Sequence, residues 1–264
     1  MRSSNPVMNT LVTSEQQSSN GYNDPQAYGQ APERPMTVDD VVTKTGITLG
    51  VIIALAVVNF GIAVVTGDAS LSMILTLVGG IGGFVAVLVA TFGKKWDSAV
   101  VTLIYAAFEG LFIGGFSLLI SGYFTVGGSD AGTLIGQAVL GTVGVFLGML
   151  FVYKTGAVKV TPRFRKIVSG AIIGVFVLAI GNLLLALFTG NNPLRDGGTL
   201  AIIFSIVCIV LAALSFMNDF DLADRLIRAN APASHAWGVA LGLAVTLVWL
   251  YTEILRLLSY FQNR

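Results

Sequence analysis

The sequence predicts an all-α membrane protein, a seven-transmembrane-helix bundle with a disordered N-terminal tail. Of its 264 residues, 55% are hydrophobic and only 11% are charged, whereas about 25% of residues are charged in a typical soluble domain. After Lys44 the chain consists of long apolar stretches, each near the roughly 20 residues that a bilayer-spanning helix requires. Because backbone polar groups must be paired in lipid and the stretches lack β-barrel alternation, we expect helices.

Residues 1–42 differ in composition from the rest of the chain. The stretch "QQSSNGYNDPQAYGQAPERP" is rich in Gln, Asn, Gly, Pro and Ser, with too little apolar surface to offset its chain entropy. We predict a disordered tail here, either inert or a docking segment for a protein partner, followed by a transmembrane domain over residues 43–264. The first residues lack an apolar stretch, so no cleaved signal peptide is expected.

Seven spans are predicted, separated by segments that contain Gly, Pro, Asp, Asn or charged residues. They cover Thr45–Thr66, Leu71–Phe92, Ala99–Gly122, Leu134–Tyr153, Ile167–Phe188, Leu200–Met217 and Trp237–Phe261. The sequence leaves open whether the last segment crosses the bilayer or re-enters. Pairs of glycines four residues apart recur along the chain and predict close helix packing within one compact bundle. The pairs are Gly46/Gly50, Gly79/Gly83, Gly110/Gly114, Gly144/Gly148, Gly170/Gly174 and Gly238/Gly242.

The basic residues predict the orientation of the bundle. Most Lys and Arg residues fall in the tail and in the second, fourth and sixth connections, whereas the opposite connections contain only Arg195. The positive-inside rule therefore places the N-terminus in the cytoplasm. The net charge of +1 indicates no attraction to nucleic acid.

Ionisable residues inside the apolar segments are the candidate functional groups, because a charged group near the bilayer centre costs about 2.5–3.5 kcal/mol or more. Glu109 lies midway along the third helix and is interpreted as a proton or cation site, or alternatively as a protonated packing residue. Glu253 and Arg256 are three residues apart in the seventh helix and share one face. We expect them to form a pair, with Arg256 anchoring the helix end at the outer interface.

Three acids follow the apolar part of the sixth helix: Asp219, Asp221 and Asp224. Asp224, beside Arg225 and Arg228, is expected to be solvated. Asp219 and Asp221 are two residues apart and point about 200° away from each other on a helix, so at most one of them faces a given partner.

No enzymatic chemistry is predicted, and no cofactor is expected. A retinal Schiff base requires a lysine in the last helix, and no lysine follows Lys166. A membrane metalloprotease needs more than one histidine, and His235 stands alone. One histidine and the single Cys208 cannot build a structural zinc site, and no nucleophile-elbow motif of a serine hydrolase is present.

Three segments resemble the Bax inhibitor-1/YccA-like family, whose members are transmembrane Bax-inhibitor-motif proteins, from about Val41 to the end. They are "LIYAAFEGLFIGG" in the third helix, "IVLAALSFMNDFDLAD" in the sixth and "LVWLYTEILRLLSYF" in the seventh. The resemblance implies a bacterial cytoplasmic-membrane protein. It further implies a pH-sensitive calcium leak in which an acid of the sixth helix, Asp221 or Asp219, and Glu253 act as sensor and gate.

Two carboxylates in contact share a proton at low pH and repel each other at high pH. Asp221 and Glu253 would then offer oxygen ligands to a weakly bound Ca²⁺ or another cation, and Glu109 would be an auxiliary pore acid. At 1.5 Å per residue, however, Asp221 falls near the inner end of its helix and Glu253 in the outer half of its own. Their pairing therefore requires a shift of one helix.

Two other functions remain open. A regulatory or scaffolding membrane protein, which modulates a membrane protease or a stress response, would depend on residues 1–42 rather than on cation flux. A proton-coupled transporter that uses Glu109 as its carrier would lose activity with Glu109→Gln alone.

Overall fold

A computed structural model of the protein describes residues 33–122 and 128–262, and these form seven long helices. They are α1 Val38–Thr66, α2 Ser70–Phe92, α3 Ala99–Ile120, α4 Gly128–Thr155, α5 Pro162–Thr189, α6 Thr199–Arg228 and α7 Ala236–Gln262. A short 3₁₀ helix, Ala233–His235, precedes α7, and no strand occurs in the described ranges. All seven helices are long and apolar enough to cross a membrane, so the predicted fold class is confirmed.

The first helix begins earlier than the predicted start at Thr45. Thr37 and Asp40 form a capping box, in which the Thr37 hydroxyl accepts from the Asp40 backbone amide and Asp40 accepts from the Thr37 amide. Such a box satisfies two otherwise unpaired amides and fixes a helix start. The predicted tail boundary after residue 42 thus falls inside α1, while residues 1–32 of that predicted tail lie outside the described part of the chain.

The predicted end of the sixth span also changes. The segment after Met217, predicted as a connection, continues α6 as far as Arg228, so its three aspartates are helical. Helix α7 runs without interruption over 27 residues, about 40 Å at 1.5 Å per residue. That length is enough for a complete span.

Helix α7 is the centre of the bundle. It packs against α1, α3, α4 and α6, whereas α5 packs mainly against α6. In the apolar window of α7, 67% of the residues are buried by the rest of the protein, compared with 6% for α5. Side chains of α7 therefore contact protein on most sides, and those of α5 are left for the lipid.

Glycines allow α1, α2 and α3 to approach backbone to backbone. A Cβ atom added at Gly110 or Gly114 of α3 would lie 2.6 Å from the Ile52 carbonyl oxygen or 2.4 Å from that of Ala56. A Cβ atom at Gly79 of α2 would lie 2.5 Å from the carbonyl oxygen of Phe108. The predicted close packing is thus present at these contacts. Several other predicted pairs have open space around them: Gly46/Gly50, Gly144/Gly148 and Gly170/Gly174.

This difference between glycines gives a stability prediction. Gly114→Ala should destabilise the fold by about 1–3 kcal/mol, the usual cost of overpacking, because the new methyl group meets the α1 backbone. Gly144→Ala is the matched control, since nothing lies within 4 Å of its added Cβ atom, and it should leave stability unchanged or slightly raised. Thermal unfolding midpoints in one detergent measure both changes, and equal midpoints for the two variants would contradict the prediction.

Candidate functional site

Glu253 of α7 is held by two arginines. Arg195, from the connection between α5 and α6, donates from Nη1 to Oε2 at 3.0 Å and from Nη2 to Oε1 at 2.9 Å. Arg256 donates from Nη1 to Oε1 at 3.0 Å. The Glu253 side chain is only 3% exposed, so both contacts are charge-assisted hydrogen bonds shielded from solvent. We call Arg195, Glu253 and Arg256 the arginine clamp.

Aromatic rings support both arginines of the clamp. The guanidinium carbon of Arg195 lies 5.2 Å from the ring centroid of Phe204 on α6. That of Arg256 lies 5.2 Å from the ring centroid of Phe116 on α3. Cation–π contacts at this distance are attractive and fix the plane of the guanidinium group. The clamp therefore joins a connection, two neighbouring helices and the central helix.

The connection that carries Arg195 is itself anchored. Gly190 ends α5 in the left-handed conformation with φ 73°, which glycine adopts without strain. Asn182 of α5 accepts from the Leu194 amide at 3.1 Å and donates to the Asn192 side chain. These contacts hold Arg195, the next residue, beside Glu253 of α7.

The predicted pair of Glu253 and Arg256 is present, and the anchoring role of Arg256 at the outer interface stays a prediction. The Arg256 side chain is only 16% exposed, and its guanidinium group lies over the ring of Phe116. The arginine is part of the clamp.

The predicted contact between Glu253 and an acid of α6 is not formed. Asp221 pairs with Arg225 at 2.8 Å, and Asp219 accepts from the Thr246 hydroxyl at 2.8 Å. Thr246 precedes Glu253 by seven residues, so Asp219 lies about two turns, or 10 Å, along α7 from the clamp. Asp219, not Asp221, is the acid that faces α7, and the register difference expected from the sequence is real.

The predicted weak calcium site is not assembled in this conformation. Asp221 and Glu253 each bind arginine instead of one another. No group of three or more acidic, histidine or cysteine side chains within the described ranges is arranged to hold a metal ion. Asp224 pairs with Arg228 at 2.8 Å near the protein surface, as its predicted solvation suggests.

Glu109 of α3 faces Val245, Val248, Trp249 and Thr252 of α7, whereas Asp219 of α6 contacts Thr246. The Glu109 carboxylate lines a cavity of about 390 Å³ between α2, α3 and α7, together with Tyr105, Trp249 and Thr252. A Cβ atom at Gly83 would lie 2.7 Å from Glu109 Oε2, so the carboxylate rests against bare backbone of α2. The structure thus separates Glu109, the predicted auxiliary pore acid, from the other candidate acids.

Sequence reasoning missed Arg195 as a functional residue. The available signal was its position, because it is the only basic residue in the connections on its side of the bundle. The positive-inside rule leaves this side of the bundle poor in Lys and Arg. A single arginine there suggests that it pairs with a specific carboxylate.

The three segments that carry the family resemblance lie in α3, α6 and α7, and they include Glu109, Asp219 and Glu253. A family model described as Bax inhibitor 1 like matches residues 5–263. The chain belongs to the Bax inhibitor 1-like family. The match begins well before Val41, where the sequence resemblance was expected to start. No curated protein and no solved structure matches the chain significantly.

In this Bax inhibitor 1-like protein, the clamp predicts a non-additive effect on stability. Glu253→Gln leaves two buried arginines without their carboxylate and should destabilise by about 3–5 kcal/mol, as for other broken buried ion pairs. Adding Arg195→Met removes one of the repelling cations, so the double variant should be at least as stable as Glu253→Gln alone. Thermal unfolding midpoints of the single and double variants in lipid nanodiscs measure this.

The exposed pair of Asp224 and Arg228 provides the control for that cycle. Its side chains are 38% and 78% exposed, so Asp224→Asn should change stability by less than about 1 kcal/mol. Strictly additive effects of Arg195→Met and Glu253→Gln would show that the two side chains do not interact in the folded protein.

Proposed function

We propose that this protein is a pH-sensitive cation leak, with calcium as its ion, and that the structure is its closed conformation. The observation that carries the proposal is the position of two acids along the interface of α6 and α7. Asp219 contacts Thr246 at one level and Glu253 is clamped about two turns further along. Positions seven residues apart lie on the same face of a helix, so both acids border one path.

The stretch of the interface between the two acids is sealed by apolar side chains. Leu250 is fully buried and Leu247 is 9% exposed, and both pack with Ala212 and Phe216 of α6. A charged ion cannot cross such a segment without losing its hydration. The seal accounts for closure, and opening requires α6 and α7 to move apart there.

The arginine clamp is the lock of this proposed gate. It ties the connection before α6 to Glu253 of α7, so the two helices cannot separate at that end while the three charges are paired. Loss of the Glu253 charge releases both arginines. This replaces the proton-sharing acid pair with an ion-paired lock, while Asp219 remains the cation-attracting group.

Asp219 sets the expected pH dependence. Its carboxylate has no ion-pair partner in the described part of the chain, and it accepts a hydrogen bond from the Thr246 hydroxyl of the facing helix. The neighbouring charges of α6, Asp221 and Arg225, neutralise each other. Protonation of Asp219 removes the charge that attracts a cation, so flux should fall as the pH falls.

Calcium flux into dye-loaded liposomes that contain the purified protein, measured from pH 5 to pH 8, tests the proposal. Flux should rise with pH in the unaltered protein. Asp219→Asn should lower it about tenfold, as expected for an interaction of roughly 1.4 kcal/mol, and flatten the pH profile. Glu253→Gln should raise flux at each pH because the lock is lost, and Asp224→Asn is the control without effect.

If flux at every pH is no higher than that of empty liposomes, the protein is not a cation leak, and the alternative of a regulatory or scaffolding membrane protein is favoured. That alternative is tested by deletion of residues 1–32, which leaves the capping box at Thr37 and Asp40 intact. A longer deletion to residue 42 would also remove the start of α1. A loss of function in that variant could then come from unfolding rather than from loss of the tail.

A further inference from the structure

The cavity beside Glu109 is a feature that cation conduction along α6 and α7 does not use. It lies in the gap between α2 and α7, each of which packs on α3. Its volume of about 390 Å³ falls within the range of roughly 300–1,000 Å³ that is usual for small-molecule sites. We call it the Glu109 cavity.

Two polar side chains of the Glu109 cavity make no hydrogen bond with the described residues. Glu109 forms no hydrogen bond or ion pair with any described residue, although its carboxylate lies near the middle of a membrane-spanning helix. Tyr105, one turn earlier and only 3% exposed, makes no hydrogen bond from its hydroxyl within the described ranges. A carboxylate in such surroundings requires a cation or a proton.

The rest of the lining is aromatic and aliphatic. Phe84, Tyr105, Phe112 and Trp249 contribute rings, and Val87, Val245 and Val248 contribute methyl groups. Aromatic faces attract organic cations, and the apolar lining suits a hydrocarbon body. Charge and lining together fit an amphiphile with one positive end.

An inorganic divalent ion fits this lining poorly. Calcium takes six to eight oxygen ligands, whereas this cavity offers one carboxylate and the hydroxyls of Tyr105 and Thr252. The Thr252 hydroxyl already donates to the Trp249 carbonyl at 2.8 Å. A primary ammonium group needs far fewer oxygens, because it has only three N–H donors to satisfy.

The route of entry selects for lipophilic ligands. Phe84 of α2, which lines the cavity, is 56% exposed on the outer surface of the bundle, where lipid surrounds a spanning helix. We propose that the Glu109 cavity binds a lipophilic organic ammonium ion, with its nitrogen on Glu109 and its hydrocarbon body against the rings. The site needs no conduction through α6 and α7.

Equilibrium dialysis of the full chain in lipid nanodiscs tests this, with empty nanodiscs as background. The probe is 4-phenylbutylamine, and its uncharged counterpart is 4-phenyl-1-butanol. The amine should bind saturably and at least about tenfold more tightly than the alcohol, a difference of about 1.4 kcal/mol. This comparison uses the unaltered protein and so does not depend on any variant folding.

Glu109→Gln should weaken amine binding about tenfold and leave alcohol binding unchanged. Asp224→Asn is the control, because it neutralises an acid that pairs with Arg228 near the protein surface and should leave amine affinity unaltered. Equal affinity for amine and alcohol would overturn the proposal, as would unchanged amine affinity in Glu109→Gln. Displacement of the amine by CaCl₂ more effectively than by NaCl at equal ionic strength would assign the cavity to inorganic cations instead.

Discussion

The charge of Glu253 is the constraint on which the rest of the structure depends. An ionised carboxylate inside a low-dielectric interior costs several kcal/mol unless cations and hydrogen bonds compensate it, and α7 is the most buried helix of the bundle. Arg256 supplies one cation from the same helix, and Arg195 must come from a distant connection. The left-handed Gly190, the Asn182 hydrogen bonds and the ring of Phe204 all serve to place that connection.

Close backbone packing among α1, α2 and α3 complements this electrostatic contact. Helices α1, α2 and α3 approach each other through glycines, and dispersion forces hold them because lipid provides no hydrophobic drive. A glycine also makes room at the Glu109 cavity, because the carboxylate of Glu109 lies where a side chain at residue 83 would be. The bundle is therefore held by charge at the clamp and by close packing among α1, α2 and α3.

Composition and segment length were enough to predict seven helices, because every spanning segment must satisfy the same requirement for backbone hydrogen bonds. The ends of α1 and α6 were harder, since a capping box and a charged last turn extend them beyond their apolar parts. The predicted glycine pairs all have the same spacing, so spacing alone could not show which of them contact a neighbouring helix and which face open space. The contact between Arg195 and Glu253 spans 58 residues, which local spacing cannot reveal, whereas Glu253 with Arg256 followed directly from helical geometry.

The clamp and the Glu109 cavity share α7, and this links their behaviour. Glu253 belongs to the clamp, while the adjacent Thr252 lines the cavity. Neighbouring residues of a rigid helix rotate together, so a rotation that withdraws Glu253 from Arg195 also moves Thr252 and Trp249. Two sites are coupled when one element with two arrangements contributes to both. A cation in the cavity that fits only one position of α7 would therefore shift the clamp equilibrium, by no more than its difference in affinity for the two positions.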